Sequence, residues 1–292
     1  MAVHAEAEIF SQPETWEKAI VLHPQVKELL PAKGERVAFV GCGTSWFMSM
    51  IASALRESKG LGESDAFTAS EFPYGRKYDR VVAITRSGTT TEVVEFLRKY
   101  KGSPTVVITA VAGSPVTEFA DSTILLDFAD EESVLQTRYA TAVLCLLRTH
   151  YGEDLTQAIA DAKEVLSQPV DQELVGVEQI AFLGTGWTVG FAHEAALKTR
   201  ESSQFWAEAY PAMDYRHGPI SIAQPGRAVW MFGPWPEGLE EDVKKTGAKV
   251  VSSKLDPMAH LIMAQRVALA ISASRGLDAD YPRNLSRSIV LN

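Results

Sequence analysis

Three features of this 292-residue chain predict an α/β fold made of two tandem, doubly wound parallel-sheet domains. Short β-branched runs alternate with longer amphipathic stretches, the pattern of βαβ units joined by right-handed crossovers. A strand, a G-x-G turn and an Ala-rich helix occur twice, first as ERVAFVGCGTSWFMSMIASALRES and again as VEQIAFLGTGWTVGFAHEAALKTRES. The two copies lie about half a chain apart, which indicates a duplicated domain rather than a solenoid of roughly 20–50-residue repeats. A polar break at 152–154 separates the halves, giving expected domains 1–152 and 153–292.

In the first half, strands are expected at 37–41, 81–85, 105–109 and 122–126, with helices near 45–58, 90–101 and 133–151. The second half opens with a helix near 155–166. Its strand ending at Gly184 restarts the pattern, with Gly184 and Gly186 in the places of Gly41 and Gly43. Strands near 227–232 and 249–252 and a helix near 257–275 complete it.

Composition bounds the function. Apolar residues make up 46% and charged residues 22%, as in globular proteins. A net charge of −9 without any compensating basic block argues against nucleic acid. The N-terminus lacks the basic-then-apolar order of a secretory signal, and no apolar run reaches bilayer length, so no membrane association and a cytoplasmic location are expected. Cys42 and Cys145 are far apart with no CxxC spacing, so they are expected as thiols. No His and carboxylate cluster has ligand spacing, so neither a metal nor a cofactor is expected.

In open parallel sheets, ligands sit beyond the carboxyl ends of strands. Two loops occupy such places: 41–45, with Gly43, Thr44 and Ser45, and 85–91, with Thr85, Arg86, Ser87, Thr89 and Thr90. Glycines let backbone approach an anion, hydroxyls donate to it, and the helix that each loop opens favours negative charge. Trp46 stands where a dinucleotide fingerprint needs its third glycine, and no GK[ST] follows for a P-loop. A single phosphate group fits; a hydroxyl-rich helix cap is the simpler alternative. The matching place in the second half, Met231 to Glu237, has no hydroxyls, so the first half is expected to bind the anion.

Glu194, Lys198 and Glu201 fall at i, i+4, i+7 on one helical face. A surface helix uses the same spacing for simple ion pairing. His217 follows in a Gly/Pro-bounded loop, where an imidazole can pass a proton either way. Carboxylate, ammonium and imidazole beside one phosphate suit an aldose–ketose interconversion, in which a ring is opened and a proton moves between C1 and C2.

The stretches EIFSQP, GCGTSW, TRSGTTTEV, SVLQTRYAT, HEAALKTRESSQFWAEAYPAMDYRHGPI and YPRNLSRSIVL resemble, in family order, the flavodoxin-like SIS (sugar isomerase) family. They are most similar to double-SIS glucosamine-6-phosphate deaminases and to the isomerase half of glucosamine-fructose-6-phosphate aminotransferase. The resemblance implies phosphate-binding hydroxyls at Ser45, Ser87 and Thr90, with Thr85 and Arg86 beside them. It makes Glu201 the C1–C2 base and His217 the ring-opening group, delivered by a neighbouring subunit of a homodimer with shared active sites. Lys198 and Glu194 would line the sugar, and Val134 and Gln136 would touch it through backbone and side chain.

Arg287 replaces a tail lysine that forms an imine in the aminotransferase, and arginine stays protonated; charge contact with the substrate is what its place allows. Arg86 replaces a common glutamine. No catalytic cysteine follows the initial Met-Ala, so no glutaminase activity is expected. The implied partner is a small sugar phosphate. The implied activity is that of an amino-sugar-phosphate isomerase/deaminase. A ketose–aldose isomerase, a fructosamine-phosphate deglycase and a non-catalytic sugar-phosphate sensor are the alternatives.

Overall fold

Every strand pairing in the computed structural model, which describes residues 3–291, is parallel. The chain divides into two compact units, one of residues 11–155 with 286–291 and the other of 3–10 with 156–285. The ends are thus exchanged relative to the expected 1–152 and 153–292, and local bonding accounts for both exchanges. Helix α1 (Val3–Phe10) belongs to the second unit because the Asp280 carboxylate accepts the amides of Val3, His4 and Ala5 at 2.7, 3.1 and 2.7 Å. These are first-turn N–H groups with no helical acceptor, so a carboxylate there satisfies them and the dipole together. The C-terminal tail belongs to the first unit because the Thr91 amide donates to the Ile289 carbonyl at 3.0 Å.

The first unit begins with α2 (Gln12–Val26), which the sequence reading missed. Then follow β1 (Val37–Gly41), α3 (Thr44–Ser58), β2 (Ser64–Thr68), β3 (Arg80–Ile84), α4 (Thr91–Lys99), β4 (Thr105–Thr109), β5 (Ser122–Leu125) and α5 (Arg138–His150). The sheet order is β2-β1-β3-β4-β5. The order reverses between β1 and β3, and such a switch point opens a crevice at the strands' carboxyl ends. β1 and β4 are buried along their whole length, as continuous apolar runs in a parallel sheet require. An aromatic cluster of Phe72, Phe96 and Tyr100 backs the sheet, with Phe72 and Phe96 centroids 4.7 Å apart. Helix α5 begins at Arg138 rather than near 133, because Glu131 accepts the Thr137 and Arg138 amides at 2.5 and 2.8 Å and holds 131–137 as a loop.

The second unit continues with α6 (Thr156–Ser167), α7 (Gln172–Val175), β6 (Ile180–Gly184), α8 (Val189–Ser203), β7 (Ala207–Pro211), β8 (Ala228–Phe232), α9 (Leu239–Lys245), β9 (Lys249–Val251) and α10 (Pro257–Ser274). Its sheet order, β7-β6-β8-β9, repeats the first four positions of the other sheet. The registers repeat as well: Gly41 pairs with Thr68, and Gly184 with Pro211. Phe182, Trp230 and Phe232 stack under α10, whose His260 ring lies 5.0 Å from both Trp230 and Phe232. Cys42 and Cys145 form no disulfide. Among the described residues, no helix is long and apolar enough to cross a membrane, and no group of three His, Cys, Asp or Glu is placed to hold a metal ion.

Candidate active site

The expected phosphate residues all lie in the first unit, on loops that leave β1 and β3 at the switch point. Gly41 ends β1 under the first turn of α3, where an added Cβ would meet the Ser45 backbone at 2.6 Å. Gly43 takes φ +55 to turn the chain into α3, which begins at Thr44. Thr44 and Ser45 are therefore held at a helix N-terminus, where backbone N–H groups and the dipole favour an anion. The second unit holds the same geometry with different chemistry. Thr188 occupies the place of Ser45, and its hydroxyl is spent on the Thr185 and Phe232 carbonyls at 2.9 and 2.8 Å. It also accepts from the Thr185 amide at 2.9 Å.

After β3, Thr85 extends the ladder by donating its amide to Ile108 at 3.1 Å. Ser87 then accepts from the Thr89 amide and hydroxyl at 3.2 and 3.0 Å. Gly88 lies at φ +66 with Ser114 Oγ only 2.0 Å from where a Cβ would stand, so the turn tolerates no side chain. Thr90 caps α4, and its hydroxyl lies 3.2 Å from that of Ser288 in the tail. Thr89 and Ser288 thus join the hydroxyl cluster. Thr89 is legible in the TRSGTTT run, but Ser288 carries no local signal that places it there.

Arg86 differs from its expected place at the phosphate. It is 1% exposed, and its guanidinium turns inward to Glu131 at 3.2 Å and to the Ser133, Val134 and Leu135 carbonyls at 3.1, 3.0 and 2.9 Å. Val134 therefore presents its carbonyl to Arg86. Gln136, on the same loop, has a buried Oε1 with no hydrogen-bond partner among the described residues, an acceptor suited to a ligand hydroxyl. Arg287 is likewise engaged, through Asp130 and the Glu131 carbonyl, rather than presenting a bare charge.

The acid–base residues lie in the second unit. On α8, Glu194 and Lys198 are buried at 0% and 3%, while the Glu201 side chain is 20% exposed. Lys198 Nζ stands 2.5 Å from Glu201 and 3.7 Å from Glu194. His193, on the adjacent face, is held below its usual pKa by burial and then by Arg200. His217 is exposed at the end of the short 214–217 turn. Arg216 anchors that turn by donating to Asp242 and to the Glu237 carbonyl at 3.1 and 2.9 Å. Tyr215, fully buried, fixes it from below, and burial pushes its phenol pKa up. A cavity of about 420 Å³ in this unit, lined by Phe10, Arg266, Leu269 and Leu277 among others, includes none of these residues.

Residues 29–150 match the family model of the SIS domain. The glutamine–fructose-6-phosphate aminotransferase (isomerizing) of Methanothermobacter thermautotrophicus is 26% identical, over 94% of this chain and 54% of its own length. The chain spans about half the length of the curated relatives it matches. A glucosamine-6-phosphate deaminase from Thermotoga maritima shares the fold at a TM-score of 0.83 and 23% identity, covering 98% of this chain and 99% of that one. A tagatose-6-phosphate ketose/aldose isomerase from Escherichia coli does so at 0.79 and 19%, covering 97% and 96%. At these identities the structural likeness shows the fold.

Proposed function

From the match of residues 29–150 to the SIS domain model, we propose that the chain is a phosphosugar isomerase that deaminates an amino-sugar phosphate resembling glucosamine 6-phosphate. The observation that carries this reading is the burial of α8's charged group. Surface ion pairs are solvated on both sides, whereas Glu194 and Lys198 are almost wholly enclosed and only Glu201 reaches solvent. A carboxylate held by a buried ammonium and still accessible suits repeated proton transfer.

In this reading Ser45, Ser87 and Thr90, with the amides opening α3 and α4, take the phosphate. His217 opens the sugar ring. Glu201 removes the proton at C2 and returns it at C1, so that the C2 amine becomes an imine. Water hydrolyses that imine to the ketose and ammonia: one water is consumed and no oxidant is needed. The orphan oxygen of Gln136 accepts from a sugar hydroxyl. Arg287 supports its neighbours through Asp130 and forms no covalent adduct.

The test is incubation with a panel of phosphorylated aldoses, ketoses and amino sugars, measuring ammonia and ketose separately. Ammonia and ketose in equal amounts from an amino-sugar phosphate support the proposal. A ketose formed from an aldose phosphate, with no ammonia from any amino sugar, would establish the second reading, a ketose–aldose isomerase. That reading is favoured by an α8 group that needs only to move a proton. Glu201→Gln should lower turnover by about 10²–10⁴; full turnover in that variant removes the base assignment.

A further inference from the structure

We propose that Arg86 is a positioning residue: its buried guanidinium fixes the 131–137 loop and the C-terminal tail against the loop that follows β3, without itself contacting phosphate. The assignment of that loop to phosphate rests on the function proposed above; the tethering does not.

Arg86 lies between Thr85 and Ser87, and its carbonyl is locked to the sheet by the Ala110 amide and the Thr109 hydroxyl at 3.0 and 3.1 Å. Its Nη1 faces Glu131 and the Ser133 and Leu135 carbonyls; its Nη2 faces the Val134 and Arg287 carbonyls, the last at 3.2 Å. Five acceptors therefore surround the two terminal nitrogens, which have only four N–H bonds between them. No terminal donor is left over for an anion, and Nε, which has no partner among the described residues, is buried away from one.

What the fork holds is specific. Three successive carbonyls converge on it, an arrangement that a planar guanidinium can satisfy and a point-charge ammonium cannot. Glu131, paired with Arg86 through one oxygen, uses the other to accept from the Thr137 amide, the Thr137 hydroxyl and the Arg138 amide. One ion pair thus shapes the loop that carries Gln136. The tail is gripped at the same point. Arg287 gives its carbonyl to Arg86 and its guanidinium to Asp130 and the Glu131 carbonyl. Ser288, Ile289 and Leu291 then bond to Thr90 and Thr91 at the start of α4. Arg86 is in this way the tie between three segments distant in sequence.

The test uses the full chain with Arg86→Lys, which keeps a charge for Glu131 but cannot span the carbonyls. Hydrogen exchange is followed in segments 87–95 and 286–291, alongside binding of inorganic phosphate and steady-state kinetics. Exchange in both segments should rise about tenfold, phosphate affinity should stay within about threefold, and kcat should fall more than KM rises. Loss of phosphate affinity with unchanged exchange overturns the proposal and makes Arg86 a phosphate ligand; no change in any readout overturns it as well. Should Arg86→Lys fail to fold, Arg287→Ala, at a half-exposed site, removes the tail's own guanidinium contacts to Asp130 and the Glu131 carbonyl and keeps the carbonyl that Arg86 holds. Near-wild-type exchange of 286–291 there supports the tether through Arg86, and a tenfold rise overturns it. A wild-type chain that binds no phosphate counts against the proposed function alone, because the exchange readout uses none.

Discussion

The Lys198 ammonium stands 2.5 Å from the Glu201 carboxylate, one helical turn away on α8, and 3.7 Å from Glu194 on its other side. The two contacts differ in exposure, and so should their removal. Lys198→Met removes the ammonium beside the Glu194 carboxylate, at a site 0% exposed, which should cost about 3–5 kcal/mol of stability. Glu201→Gln, at a position that reaches solvent, should cost under about 1 kcal/mol while abolishing most turnover. Urea unfolding midpoints of the two variants check the contrast, and equal destabilisation would show that the burial argument is wrong.

Ser45 and Thr188 hold equivalent positions in the two repeats, yet their predicted substitutions act oppositely. Thr188→Ala removes a hydroxyl that bonds to the backbone at Thr185 and Phe232. It should cost about 1–2 kcal/mol and leave phosphate binding unchanged. Ser45→Ala should cost less stability than Thr188→Ala and weaken inorganic phosphate binding several-fold. Thermal unfolding with and without phosphate separates the two outcomes; a phosphate effect from Thr188→Ala would count against the loss of the second cradle.

Asp242 acts on His217 at one remove. Its carboxyl is held below the usual range first by Lys245 and then by Arg216, and Arg216 sits beside His217 on the same short turn. These are exposed charges, so Asp242→Asn should leave stability nearly unchanged. Loosening the turn should nonetheless lower turnover about tenfold, since an ångström of misplacement is expensive in catalysis. Wild-type kinetics in Asp242→Asn would detach the turn's geometry from the reaction.

Much of this was legible in the amino-acid order because the strongest signals are local. The β1 and β6 runs are continuous apolar stretches ending in glycine, β4 is a β-branched run, and the G-x-G turns mark where α3 and α8 begin. β2 and β7 were not seen. Reading SDAFT and AEAYP, they are edge strands, mostly half-buried and poor in β-branched residues, so neither periodicity nor β-branched content distinguishes them. Helix α2 carries prolines near both ends, Pro13 and Pro24, which interrupt a helical pattern in the sequence, though the first sits where a helix tolerates it.

The candidate residues divide along the same line. Ser87, Thr90 and Gly43 act through the turns they sit in, and their sequence context announces them. Arg86 and Arg287 act through carbonyls and carboxylates far along the chain, and nothing near either residue names those partners. A charged residue in a hydroxyl-rich loop reads as a ligand for an anion until the fold supplies Glu131. The exchange of α1 and the tail between units is hidden in the same way, since Asp280 and the α1 amides meet only after folding.

His260 supplies a pH test that is independent of any substrate. Its ring is 1% exposed, lies against Trp230 and Phe232, and its Nε2 has no hydrogen-bond partner among the described residues. Burial lowers its pKa from 6.5 to about 3. In the unfolded chain the imidazole takes up a proton near its ordinary value, while in the folded chain it stays neutral. Its stabilising share is therefore complete above about pH 6.5 and is lost as the pH falls toward 3, at roughly 1 kcal/mol per unit. His23 and His150, 3.2 Å apart, are both held low by burial and add in the same direction. His260→Phe keeps an aromatic ring against Trp230 and removes the titrating group, so urea midpoints measured from pH 7 to pH 5 should decline less steeply than in the wild type. Any constant offset from repacking leaves that slope untouched. Parallel slopes for the two proteins would mean that His260 becomes charged without opening the fold.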